Sequence, residues 1–205
     1  MALNIVSWIA VVLILVASCM MFVSRDWRMQ LGALAVQYLS AFWLVTLHLP
    51  FAMAAAKLVT GWMVVAALGM TRLSLSKLEE KEDTLGQRGQ WFSIILVAIV
   101  VFVTTGATPR IEAVVPGLGL QVIAGSLLLI GTGLIHLGLT SDILRVTLGL
   151  LTILTGFEVI YAALESSILV AGLLAITSLG LGLIGSYLLT AGSSTTDTVD
   201  EEQLL

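Results

Sequence analysis

The amino-acid sequence predicts an all-α protein, a polytopic transmembrane bundle of about seven helices with its N-terminus outside and its C-terminus inside. Three observations predict it. Of 205 residues, 59% are hydrophobic and only 11% charged, with a mean hydropathy of +1.09, whereas ordinary soluble domains carry roughly 25% charged residues. The apolar residues gather in runs near twenty residues, the length that a hydrocarbon core of ~30 Å demands of a helix. Lysine and arginine also fall almost entirely into alternate connections between those runs, which sets orientation.

The first run, 3–23, begins MALNIVSWIA without a positive n-region, so it reads as a permanent helix and not as a cleaved signal. It holds Cys19, the only cysteine, which excludes an intramolecular disulfide and a thiolate metal cluster. The second and third runs, 29–49 and 51–70, are separated at Pro50, a residue suited to turning the chain. Residues 1–70 thus carry three spans. The connection 71–90, TRLSLSKLEEKEDTLGQRGQ, balances four basic against four acidic residues and reads as a solvated cytoplasmic link.

Spans four to seven occupy 91–190, at 91–105, 118–139, 146–164 and 168–190. The fourth, WFSIILVAIVVFVTT, is short by several residues, and Pro109 and Pro116 mark a loop after it. The tail 191–205, AGSSTTDTVDEEQLL, is polar and acidic and is expected to be disordered. Arg25, Arg28, Arg72, Lys77, Lys81, Arg88 and Arg145 share one side, against Arg110 on the other, which places the richer side in the cytoplasm. The stretches SRDWRMQLG (24–32) and SDILRVTLG (141–149) each put an arginine four residues before a glycine at the start of a span. Spans one to three would then repeat as spans five to seven in parallel orientation, with span four as connector.

Few residues here can do chemistry. The net charge of −4 owes much to the tail, and nine dispersed basic residues make no nucleic-acid patch. No nucleophile elbow, phosphate loop, dinucleotide fingerprint or metal-ligand spacing occurs in the sequence, so no cofactor is expected. Two charged side chains fall within the hydrocarbon region, Lys57 and Glu158. Lys57 stands seven residues into span three, ~10 Å from its outer end. It either snorkels to the interface or serves a site.

Glu158, in TGFEVIY (155–161), lies twelve residues after Val146, ~18 Å along the helix, too deep for a short carboxylate to reach water. An isolated acid there costs at least ~2.5–3.5 kcal/mol and is by default a functional-site hypothesis. The alternative is a protonated glutamate hydrogen-bonded to a neighbouring helix. Glu165, at i+7, projects from a similar face at the outer helix end, as an interfacial residue or the outward mouth of a proton path. His136 stands near the cytoplasmic end of span five and His48 at the outer end of span two, and these opposite sides argue against a shared bis-histidine haem. Each reads as an interfacial histidine, with a proton-relay role open for His136. Ser178, Gly182 and Ser186 form a small-residue face for close helix contact, within the chain or with partner subunits.

The stretch SDILRVTLGLLTILTGFEVIYAAL (141–164) resembles the middle helix of the K-type small membrane subunit of complex I, the proton-pumping NADH–quinone oxidoreductase. Arg145, Gly156, Phe157 and Glu158 carry the resemblance, and spans five to seven, 118–190, match its three-helix plan and its orientation. The chain length and Lys57 are more similar to the E-type membrane component of hydrogenase-4 and formate hydrogenlyase complexes. The resemblance implies a non-redox membrane-arm subunit, non-catalytic by itself, that contributes to proton translocation in the cell membrane beside antiporter-like subunits. It departs at span seven, which lacks the second buried glutamate of K-type subunits, so the partner of Glu158 would be Lys57 or a group on another subunit. A stand-alone secondary transporter and a purely structural membrane subunit are the other readings.

Overall fold

In a computed structural model of the chain, the backbone is described for residues 2–24, 26–75, 87–165 and 167–202, and side chains for 4–24, 26–75, 94–165 and 167–192. Seven α-helices account for the fold among the described residues: α1 (Ala2–Val23), α2 (Trp27–Thr46), α3 (Phe51–Leu75), α4 (Gln87–Val114), α5 (Leu120–Leu139), α6 (Ile143–Leu164) and α7 (Ile168–Glu202). All seven are long and apolar enough to cross a membrane. With no water in a bilayer core, a helix satisfies every backbone group within itself. That is why apolar runs of this length fold this way.

Local chemistry fixes the helix ends. Asp26 caps α2 by accepting from the Arg28 amide, and Asp142 caps α6 by accepting from the Arg145 amide. The two stretches that look alike in sequence therefore start their helices by the same device. Pro50 precedes α3 and its carbonyl accepts from the amides of Met53 and Ala54. Between α4 and α5 the chain turns through Pro116, with Gly117 and Gly119 at φ of 100° and 83°, a region that glycine enters without steric cost.

Three boundaries differ from the sequence reading. α4 does not stop at residue 105 but runs to Val114, so Pro109 lies inside the helix, not in a loop. The polar residues there are tolerated because Thr105 and Thr108 donate back to the carbonyls of Val101 and Thr104. α3 and α4 also extend into the charged connection, and its centre, residues 76–86, lies outside the described residues. α7 continues as helix through Glu202 where disorder was expected from 191, and the side chains beyond 192 lie outside the described residues.

The helices assemble as two three-helix layers. α1, α2 and α3 form one, with α2 between its neighbours, and α5, α6 and α7 form the other, with α6 between. The layers face each other in register, α1 on α5, α2 on α6 and α3 on α7, while α4 packs outside α5 and α1. This is the arrangement expected if spans one to three repeat as five to seven with span four as connector. The outward surfaces of α3, α4 and α7 expose Met63, Phe102, Ile176 and Leu183, an apolar coat that fits a lipid bilayer and would be a large patch in water.

The closest helix contact is α5 against α6. A Cβ added at Gly133 would sit 2.8 Å from the Gly149 carbonyl, and one at Gly156 would sit 2.8 Å from the Ser126 carbonyl. Both clashes involve backbone, which cannot rotate aside. The face of Ser178, Gly182 and Ser186 serves contacts within the chain: Gly182 packs on Val64 of α3, and Ser178 reaches α6.

Gly156→Ala is expected to lower the unfolding midpoint in detergent, because overpacking costs about 1–3 kcal/mol and exceeds or cancels the helix-propensity gain of about 1 kcal/mol. Gly32→Ala, where the new methyl meets open space, should raise the midpoint or leave it unchanged.

Candidate functional site

Lys57 enters from α3 and Glu158 from α6. The two helices are not direct neighbours, so the contact depends on the length of the lysine side chain. Its Nζ lies 3.8 Å from Glu158 Oε2, and each side chain is 10% exposed. Lys57 thus turns inward and does not snorkel. Lys57 is six residues from the start of α3 and Glu158 six from the end of α6, each ~9 Å of helical rise. Two helices that begin and end at the same face of the bundle therefore bring both groups to one depth.

The rest of the site is built around that pair. Ser178 of α7 lies 3.2 Å from Glu158 Oε1 and 3.0 Å from the Leu174 carbonyl, and its single proton is shared between them. Tyr38 of α2 is buried; its hydroxyl stands near Thr155 and Glu158, outside hydrogen-bond geometry. Its ring lies directly over Gly61 of α3, the residue whose missing side chain makes room for it. Tyr38, Phe42, Lys57, Thr155 and Glu158 share the lining of a cavity of about 10 Å³, close to the space that one water occupies. Lys57 Nζ has no hydrogen-bond partner among the described residues. Its three N–H groups are available to a bound water or to a proton acceptor.

The other expected site residues are placed differently. Glu165 caps the end of α6 in an extended conformation and is exposed. It leaves the helical register that would align it with Glu158, and it does not line the cavity. His136 is packed between helices at 5% exposure, with the Phe22 ring edge-on to it at 5.0 Å between centroids. His48 is exposed in the turn after α2.

A second polar group escaped the sequence reading. Gln37 Nε2 donates to Ser18 Oγ at 2.9 Å, Ser18 Oγ lies 3.3 Å from Thr132 Oγ1, and Thr152 Oγ1 lies 3.2 Å from Gln37 Oε1. Four helices, α1, α2, α5 and α6, meet in this cluster. Spacing could have flagged it: Gln30 and Gln37 are seven residues apart on α2, and Thr152, Thr155 and Glu158 recur every three on α6, so each set shares a helix face. Comparison with known protein families, with curated proteins and with solved structures finds no match.

Among the described residues no cluster of His, Cys, Asp and Glu side chains could hold a metal. What the arrangement can do is hold opposite charges beside a water-sized space. Removing one partner of a buried pair costs about 3–5 kcal/mol, so Lys57→Met should lower the unfolding midpoint sharply. Adding Glu158→Gln in the same chain should restore most of the loss. A single Lys57→Met variant as stable as the parent would mean that the two groups do not pair as ions.

Proposed function

We propose that this chain is a proton-relaying membrane subunit, working at the Lys57–Glu158 pair, within a redox-driven assembly of the complex I or membrane-bound hydrogenase kind. The observation that carries the reading is the buried 3.8 Å contact between Nζ and Oε2 beside a water-sized cavity. An intramembrane ion pair is costly, and such groups mark proton and ion pathways.

The pair supports a balanced cycle. A proton entering Glu158 neutralises the carboxylate and leaves the Lys57 ammonium without its counter-charge. Loss of a proton from Nζ then restores neutrality, and passage of the Glu158 proton to the free amine, directly or through a water, regenerates the starting ions. One proton enters, one leaves, and no net bond is made.

The resemblance of 141–164 to a K-type subunit supports the partner assignment: antiporter-like membrane subunits, with the redox centres on other chains. Where K-type subunits carry a second glutamate, this chain offers Ser178 on α7 and Lys57 on α3. The asymmetry of basic residues supports a C-terminus on the cytoplasmic side of a cell membrane. A stand-alone transporter is the second reading, favoured by one observation: Lys57 and Glu158 belong to opposite layers of a two-layer bundle, and sites between repeats are typical of transporters.

Redox-driven proton pumping in membrane vesicles should fall at least tenfold in Glu158→Gln at matched assembly, and the tagged chain should co-purify with large multi-span subunits and redox proteins. Unchanged pumping would reduce the pair to a structural device. Ion transport by the purified chain alone in liposomes would favour the transporter.

A further inference from the structure

We propose that the polar cluster of Ser18, Gln37, Thr132, Thr152 and His136 is a second water site, and that it forms the cytoplasmic arm of a proton path whose centre is Glu158. The inference rests on the reading of Glu158 as a proton site and adds a route to it.

These residues line one cavity of about 10 Å³, with Phe22 and Met21 on its apolar side, close to the space for one water. His136 Nε2 is buried in this lining without a hydrogen-bond partner among the described residues. A buried polar atom left unpaired is costly, and a water in the cavity removes that cost. The other groups already have fixed roles. Thr132 Oγ1 donates to the Leu128 carbonyl at 2.6 Å, so it accepts from Ser18, which in turn accepts from Gln37. Thr152 Oγ1 divides its proton between Gln37 Oε1 and the Leu148 carbonyl. Gln37 is thus a positioning residue, clamped at both ends of its amide.

Depth orders the groups. His136 is three residues from the end of α5 and Thr132 seven, ~4.5 and ~10 Å from that face by helical rise. On α6, which starts at the same face, Thr152, Thr155 and Glu158 follow at nine, twelve and fifteen residues, ~14, ~18 and ~22 Å. The two cavities are lined by consecutive residues of α2, Gln37 and Tyr38, and by Thr152 and Thr155 one turn apart on α6. Arg145, at the start of α6, belongs to the side rich in basic residues.

A proton bound at Nε2 passes to the cavity water as its N–H bond breaks and an O–H bond forms. The water releases another of its protons by way of the Thr155 hydroxyl, which takes one proton and gives up its own, to the Glu158 carboxylate, which becomes the neutral acid. The water and the hydroxyl are regenerated, and the imidazole is free to take the next proton from the cytoplasmic side.

The chain has two histidines, so ¹⁵N-histidine labelling of the full chain in lipid nanodiscs gives two imidazole sets, with exposed His48 as internal reference. The expected result is a water cross-peak at His136 Nε2 that weakens at least fivefold in Gln37→Leu and in Thr132→Val. In vesicles with the assembled complex, His136→Gln should slow proton uptake from the cytoplasmic side about tenfold. No water cross-peak at Nε2, or full uptake in His136→Gln while Glu158→Gln is inactive, overturns the arm and leaves the Glu158 site standing. Full uptake in Glu158→Gln removes the centre, and with it the arm.

Discussion

A lysine and a glutamate from helices that do not adjoin meet inside an apolar bundle, and much of the architecture follows from that meeting. Neither charge can be solvated by hydrocarbon, so each needs the other, and the reach of one lysine side chain limits how far α3 can stand from α6. α7 packs on both. It contributes the Ser178 hydroxyl to the carboxylate and lies flush on α3 because Gly182 lets Val64 in. α2 fills the space between the two helices with Tyr38, whose ring fits only because residue 61 is glycine. Two opposite charges 4 Å apart attract by about 4 kcal/mol at an effective dielectric constant near 20. That is of the same order as the insertion cost of either group, so the pair is tolerable in this place and in few others.

The polar content of the rest of the bundle obeys the same constraint. α2 is the least apolar of the seven spans, yet it is among the most buried. In water this order would be inverted, but in lipid a glutamine is better placed against other helices than against acyl chains. Hydroxyls that do not join the central clusters donate to carbonyls one turn back on their own helix, as at Thr105, Thr147 and Thr177, and so remain compatible with an apolar environment. The groups that reach across helices are concentrated along the seam between the two layers. That seam runs from the Lys57–Glu158 cavity through Thr155 and Gln37 to His136.

Around this seam the packing is rigid where glycine permits backbone contact. α5 and α6 touch at Gly133, Gly149 and Gly156, and such close approach leaves no freedom for the helices to slide without collision. These contacts lie within the α5–α6–α7 layer, so they make it one unit and leave its packing against the α1–α2–α3 layer to the side chains between them.

The sequence by itself determined the seven helices, their approximate order along the chain and the places of Lys57 and Glu158 within them, because each depends on local composition and a fixed rise per residue. It misplaced the end of α4, where threonines bonded to their own backbone look like loop residues. It did not show that His136, near a helix end, is covered by neighbouring helices. Only the tertiary structure decided that Lys57 points at Glu158, that Glu165 stands apart, and that Ser18, Gln37, Thr132 and Thr152 form one cluster. The physical reason is that a helical period tells which residues share a face, but not which other face it meets. That choice rests on side-chain reach and close packing among helices far apart in the chain.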